Sequence, residues 1–325
     1  YTSGSTGKPK GVMINHQNVV RLMAATQAWF KFDEHDVWTL FHSYAFDFSV
    51  WEIWGALFYG GSIVVVPYLT AREPNVFYQM LIDQKVTVLN QTPSAFYQLI
   101  RAEEYHLNIN PDIAQQLQLR QVIFGGEALD LRNLAPWVKR HGDASPELVN
   151  MYGITETTVH VTYRRIKIDD VSSAVRGQGM NSIIGLPIPD LQLYVLDENL
   201  NPVPEGVPGE LCIAGAGLSD GYLERPELTA ERFIEHPFAD GKLYRSGDLA
   251  RILESGELEY IRRIDSQVQL RGFRIELGEI ESVVGLYPGI RENVAIIRED
   301  VEGDQRLVVY LVSDSVVRVE DLRAI

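Results

Sequence analysis

The chain opens on YTSGSTGKPKG, where the hydroxyls of Thr2, Ser3, Ser5 and Thr6 alternate with Gly4 and Gly7 and are followed by Lys8 and Lys10. Hydroxyl donors, together with glycines that let backbone amides approach closely, suit the oxygens of a polyphosphate. A Ser/Gly-rich stretch is equally a flexible linker, and these residues alone leave both readings standing. Two familiar nucleotide signatures fail. A Walker loop needs glycine five positions before Gly7, where Thr2 stands, and Pro9 follows Lys8. A dinucleotide fingerprint begins at Gly215 and Gly217 but meets Asp220 at its third position. Three carboxylates in distinctive settings extend the chemistry: Asp47 in FDFS, Glu156 in YGITE and Asp248 in YRSGDL. Two of these carboxylates, and Tyr152 in the same YGITE stretch, have a plain alternative. Glu156 reads as a solvated glutamate at a helix start, Asp248 as a turn aspartate and Tyr152 as a core aromatic.

The elements that must position these residues change character along the chain. From Tyr1 to about Thr158, short apolar strands such as SIVVVP, KVTVLN, LRQVIFGG and ELVNMYG alternate with amphipathic helices. Val19, Met23, Gln27 and Phe30 fall at helical spacing, NVFYQMLIDQ reads as a helix, and another helix opens at Pro93. Such alternation predicts a mainly parallel sheet covered by helices. After His160, strands such as LQLYVLD, GELCIAG, LARILE and ELEYIRR are separated by Pro/Gly turns, a hairpin or barrel texture. From Asp265 a small βαββ pattern follows, and VEDLRA near the end reads as the start of a helix.

The 325 residues carry 46% hydrophobic and 22% charged side chains and a net charge of −15. This balance argues against nucleic acid or an anionic membrane surface as partner. The apolar run WGALFYGGSIVVVP is broken by glycines and Pro67 and is too short to span a bilayer. The single cysteine, Cys212, reads as a buried strand position and fits a reducing, cytoplasmic setting.

Six stretches in order, YTSGSTGKPKG, FDFSVWE, NMYGITE, GELCIAGAGLSDGYL, YRSGDL and RIDSQVQLRGFRIELGEIE, closely resemble the adenylate-forming superfamily. The likeness is to the amino-acid adenylation domains of non-ribosomal peptide synthetases and covers nearly the whole chain. Ile154 stands where that family often has proline, and Arg262 and Gln269 replace a common glycine and lysine. The resemblance implies an α/β core of βα layers plus a distorted β-barrel over residues 1–264. A small α+β lid would follow over 265–325. It implies that both are incomplete, that the lid stops before the family's catalytic lysine, and that this piece alone is impaired in adenylate formation.

The implied reaction joins ATP and an amino acid into an aminoacyl-adenylate, releases pyrophosphate, and hands the acyl group to phosphopantetheine on a carrier protein. A condensation domain would be a neighbour. In this likeness Thr2, Ser3, Gly4, Ser5, Thr6 and Gly7 hold phosphates, with Thr6, Glu156 and Asp248 as the catalytic set and Glu156 the Mg²⁺ ligand. Gly126, Glu127, Ala128, Asn150, Tyr152, Gly153 and Thr155 wall the nucleotide site. Asp248 takes the ribose hydroxyls, Arg263 reaches ribose or phosphate, and Asp265 is the hinge of the lid. Phe46 would flank the substrate carboxylate.

The side-chain pocket transfers onto Asp47, Phe48, Trp51, Asn90, Ile123, Gly125, Met151, Val159 and His160. A carboxylate in an apolar pocket calls for a cation, so Asp47 favours an α-ammonium over a fatty or aryl acid. The remaining set resembles the threonine-selecting one: a small apolar box with Asn90 and His160 as polar members. His160 read alone is a satisfied histidine at a strand start. The rival readings are an acyl-CoA or aryl-acid ligase and a non-catalytic docking segment.

Overall fold

In the computed structural model the described residues are 2, 9–178, 182–265, 267–270, 273–301, 304–314, 317–318 and 322. The first helix, α1 (His16–Phe30), begins at a capping box in which the Asn15 and Asn18 side chains each bond the other's backbone N–H. Leu22, Met23, Thr26 and Phe30 form its buried face at helical spacing. It ends at Lys31 in the left-handed region, φ 50°.

Next come β1 (Val37–Leu40), α2 (Phe48–Phe58), β2 (Ser62–Val65), α3 (Tyr68–Arg72), α4 (Pro74–Asp83), β3 (Val88–Gln91) and α5 (Pro93–Ile109). The layer is completed by β4 (Gln121–Phe124), α6 (Ala135–His141) and β5 (Glu147–Asn150). The five strands run parallel in the order β2-β1-β3-β4-β5. All residues of β3 and β4 are buried, as strands covered on both faces must be. The α/β alternation expected of the first half is therefore present. The expected helix at Pro93 starts there, with proline's missing N–H at a position that needs none.

The direction of pairing changes at β6 (Thr162–Ile166), which runs antiparallel to β5. It is followed by α7 (Ile168–Val175), β7 (Ser182–Pro187), β8 (Leu191–Leu196), β9 (Gly209–Gly215), α8 (Pro226–Arg232), β10 (Phe233–Glu235), β11 (Lys242–Ile252) and β12 (Leu258–Arg263). The pairings continue as β6-β7-β12-β11-β9-β8, with β10 also on β11. The barrel texture thus resolves into an open antiparallel extension of the parallel sheet. Among the described residues it does not close, because β7 spends its two edges on β6 and β12, and the path ends at β8. Cys212 lies wholly buried on β9, where burial pushes its thiol up to about 12 and makes it unreactive.

The last segment holds a hairpin of β13 (Gln267–Leu270) and β14 (Phe273–Glu276), then α9 (Leu277–Gly285) and a hairpin of β15 (Ile290–Val301) and β16 (Asp304–Ser313). Strand β14 is absent from the expected βαββ pattern: it has only four residues and runs straight into α9, so it reads as a connector. The helix expected at VEDLRA lies outside the described residues apart from Leu322.

Candidate active site

The parallel layer delivers the site. Asn90 ends in β3, Gly125–Ala128 follow β4, Met151–Glu156 follow β5, and Asp47 caps α2 beyond β1. All emerge at the carboxyl ends of parallel strands, where open α/β sheets form their binding crevice.

On one side of this crevice a cleft is lined by Gly126, Glu127, Ala128, Asn150, Met151, Tyr152, Gly153, Ser182, Ile184, Asp248 and Tyr260. Tyr152 donates its hydroxyl to Asp248 Oδ2 at 2.5 Å, and its ring lies 6.3 Å from that of Tyr260. Burial, and then the Asp248 charge, push the Tyr152 hydroxyl well above its ordinary range, so it stays a donor. The other oxygen of Asp248 receives Arg263 Nη1 at 3.1 Å. Arg263 also donates to Ser246 O at 2.7 Å and to both oxygens of Asp265. The expected ribose carboxylate and hinge aspartate are thus joined through one guanidinium.

Asn150 donates its amide nitrogen to Ile183 O at 2.8 Å. Glu127 accepts from Ser94 N and Ser94 Oγ, both at 3.0 Å, which pins the loop after β4 to the start of α5. Gly126 has φ +81°, and a Cβ on it would lie 3.0 Å from the Phe46 ring. At Gly153 a Cβ would fall 2.0 Å from Val159 O, so only glycine lets these two strands of the loop cross. Ser182, Ile184 and Tyr260 escaped the sequence reading. They reach the cleft only through the β7–β12 register, which pairs Tyr260 with Ser182, and no local pattern signals that.

Of the opening loop, Ser3, Gly4, Ser5, Thr6 and Gly7 lie outside the described residues. Its base is described: Thr2 and Lys10 exchange backbone hydrogen bonds of 2.9 Å each. Lys10 Nζ lies 3.5 Å from Glu156 Oε1, and Tyr222 donates its hydroxyl to the same oxygen at 2.8 Å. Glu156 is wholly buried, so the solvated reading of this residue is excluded. Among the described residues no group of three His, Cys, Asp or Glu side chains is placed to hold a metal. A single carboxylate fits a magnesium ion that takes its remaining oxygens from a nucleotide and water, which is how Mg²⁺ is usually shared.

The other side of the crevice is apolar. Asp47, half-buried, accepts the Thr155 hydroxyl at 2.7 Å, which ties the carboxylate to the loop bearing Tyr152. Phe48, Trp51, Ile123, Met151 and Val159 are buried in one apolar cluster. The His160 ring meets Trp51 edge-on at 4.9 Å and Phe48 at 5.3 Å, and a Cβ on Gly125 would touch it at 3.5 Å. Trp51 Nε1 donates to Asn90 Oδ1 at 3.0 Å.

Two polar groups of this pocket are left unanswered. Asn90 Nδ2 and both ring nitrogens of His160 are buried without a hydrogen-bond partner. Burial lowers the His160 pKa to about 3, which keeps the ring neutral. Its position is bought with strain: Thr158 and Val159 both have positive φ, 66° and 64°, and a β-branched residue rarely adopts that conformation. Strain held just beside a pocket is a mark of a functional site. The reading of His160 as a satisfied histidine is overturned, while Tyr152 packs against the core with its hydroxyl on Asp248. His42 is a further contact missed from sequence: it stacks on Phe48 at 4.7 Å, meets Phe46 at 5.4 Å, and is held through Nδ1 by buried Glu52 at 3.1 Å.

The family described as AMP-binding enzyme matches residues 1–223. A dimodular nonribosomal peptide synthase of Bacillus subtilis is 57% identical over 314 residues, which are 96% of this chain and 13% of that protein. A syringomycin synthase of Pseudomonas syringae is 48% identical over 96% of this chain and 49% of its own length. A solved NRPS protein containing adenylation and PCP domains, bound to a vinylsulfonamide inhibitor, superposes with a TM-score of 0.85 at 29% identity, over 99% of this chain and 53% of that one. The Vibrio cholerae adenylation domain AlmE, in complex with glycyl-adenosine-5'-phosphate, gives 0.82 at 28% identity, over 99% and 58%. The chain therefore spans about half, or less, of the length of these relatives. Among the described residues no helix is long and apolar enough to cross a membrane.

Proposed function

From the premise that this chain belongs to the AMP-binding enzymes, within the adenylation domains of nonribosomal peptide synthetases, we propose that it activates an amino acid, L-threonine above others, as its adenylate. The observation that carries the reading is the Thr155–Asp47 hydrogen bond of 2.7 Å, which sets an acidic pocket mouth against the Tyr152–Asp248 cleft. A zwitterion seated on Asp47 presents its carboxylate towards a nucleotide in that cleft.

In this mechanism the substrate carboxylate attacks the α-phosphorus of ATP and pyrophosphate leaves, so the protein needs no nucleophile of its own. Its work is positioning and charge neutralisation. Asp47 binds the ammonium. Tyr152 and Asp248 hold adenine and ribose, Arg263 steadies Asp248, and the opening loop from Thr2 to Gly7 takes the phosphates. Glu156 holds Mg²⁺, which when bound neutralises phosphate charge. The lid from Asp265 onward turns about that residue so that phosphopantetheine on a carrier protein can receive the acyl group.

Threonine is favoured by the unanswered Asn90 and His160 nitrogens, which suit a hydroxyl on a short branched side chain. A site that hydrogen-bonds a hydroxyl rejects the analogue lacking it by ~10⁴ or more in favourable cases, but rejects loss of a methyl by only ~10-fold. The test is exchange of labelled pyrophosphate into ATP by the full-length protein. Threonine should lead, serine follow and valine trail. Exchange that ignores the amino acid defeats the reading, and valine ahead of threonine defeats its specificity.

A further inference from the structure

We infer that Lys10 occupies the magnesium ion's place on Glu156 while no nucleotide is bound, and yields it when metal and triphosphate arrive. The inference rests on the reading of Glu156 as a metal ligand but adds a residue and an exchange to it. The sequence suggests that Lys10 simply adds charge for an anion. The structure instead points its ammonium at a carboxylate: Nζ lies 3.5 Å from Glu156 Oε1 and 4.8 Å over the ring of Tyr222.

Three features make this an exchange site. First, Glu156 is wholly buried, and a buried carboxylate is costly without a cation beside it, whichever cation that is. Second, the remaining geometry is fixed. Tyr222 donates to the same oxygen at 2.8 Å and lies 3.3 Å from the Tyr244 hydroxyl, so the carboxylate keeps its orientation when its cation changes. Third, only the side chain of Lys10 has to move. Its backbone is pinned to Thr2 by paired hydrogen bonds of 2.9 Å, at the foot of the hydroxyl-rich loop, while a flexible stem carries the compact charge. A magnesium ion sits about 2.1 Å from a carboxylate oxygen, so ion and ammonium repel strongly if both remain on Oε1. They must alternate, and the phosphates that bring the metal give the ammonium its new partner.

The sign of one measurement separates this from a purely structural lysine. A structural role predicts that removing Lys10 loosens everything built on Glu156. The exchange predicts that metal binds more tightly once its competitor is gone, while turnover suffers from the lost phosphate contact. The experiment is a Mn²⁺ titration by electron paramagnetic resonance of the full-length protein without nucleotide, the state in which Lys10 holds the site, for wild type, K10M and K10R. K10M should bind Mn²⁺ about 3- to 10-fold more tightly and lose at least ~10-fold in the rate of pyrophosphate exchange, with K10R close to wild type in both. Should K10M fail to fold, K10Q must show the same sign. Unchanged or weaker Mn²⁺ binding in the neutral variant, in a protein whose wild type exchanges in an amino-acid-dependent way, overturns the lysine inference alone. Tighter Mn²⁺ binding without exchange for any amino acid supports Lys10 on Glu156 and overturns the amino-acid reading instead.

Discussion

The two halves of the crevice solve opposite problems. On the side proposed for the nucleotide nearly every charge is already answered: Asp248 stands between Tyr152 and Arg263, and Arg263 between Asp248 and Asp265. On the side proposed for the amino acid the walls are apolar, yet Asn90 Nδ2 and the two His160 nitrogens face no partner. A buried polar group left unpaired costs about 1–3 kcal/mol. The first arrangement holds its groups rigid before any ligand comes. The second keeps a debt that a ligand of the right shape can settle. Positioning for a shared chemistry belongs to the first kind of site, and discrimination among similar substrates to the second.

The comparison breaks most sharply at Asp47, which belongs to both halves through Thr155. Asp47→Asn keeps the shape and removes the charge, leaving the substrate ammonium without a counter-ion. Breaking a fully buried pair in this way costs ~3–5 kcal/mol; at half-buried Asp47 the cost falls at the lower end, so the KM for the amino acid should rise ~10²–10³-fold while binding of ATP alone is nearly unchanged. Equilibrium binding of ATP and exchange kinetics measured side by side would show the split. A parallel loss of ATP affinity means that Asp47 serves the nucleotide side instead.

Asp248→Asn should reverse that pattern. It replaces two charge-assisted contacts, from Tyr152 and Arg263, with a neutral acceptor and donor. With charged hydrogen bonds worth ~1.5–3 kcal/mol each, kcat/KM for ATP should drop about 10²-fold or more at unchanged preference among amino acids. If the ranking of amino acids moves instead, the two halves are not separable.

How far these halves were legible beforehand differs in the same way. Hydrophobic period and the order of short motifs point to the parallel layer, to α1 and α5, and to Asp47, Tyr152, Glu156 and Asp248, because those features are local in the chain. What stayed hidden depends on contacts between distant segments. Lys10 on Glu156 spans most of the first half of the chain, and Tyr260 enters the cleft only through its register with Ser182. Strand β14 is too short to show a period. The strained pair Thr158–Val159 is invisible because nothing in two ordinary residues announces a positive φ; it shows only in the fold, where the Gly153 backbone passes against Val159 O.

His160 sharpens the comparison at smaller magnitude. His160→Phe removes a hydrogen-bonding ring while keeping an aromatic in the pocket, and should move the threonine-to-valine ratio of kcat/KM by ~10–10²-fold towards valine. The same ring carries a pH signature. Its pKa falls from 6.5 to about 3 on folding because burial disfavours the charged form. The unfolded chain therefore binds a proton that the native one refuses. The penalty is absent above about pH 6.5, and stability is lost as pH falls from there towards 3, by up to ~1.4 kcal/mol per unit. Thermal melts should show a shallower acid limb in His160→Phe than in wild type over that window. Equal limbs would mean that His160 is not buried neutral.

The mildest test concerns Trp51, whose Nε1 donates to Asn90 Oδ1 with both residues wholly buried. Trp51→Phe strips the Asn90 side chain of this hydrogen bond and should cost about 1–3 kcal/mol beyond the space it vacates. Changing both partners removes the unpaired group altogether, so Trp51→Phe/Asn90→Leu should regain most of that cost, the vacated volume beside residue 51 being common to both variants. If Asn90 is kept for stability, the double variant will be no better than the single one. If it is kept for the substrate, the double variant will melt above the single one yet lose its preference for threonine over valine. The pocket half is then paying in stability for selectivity, as its unanswered nitrogens imply.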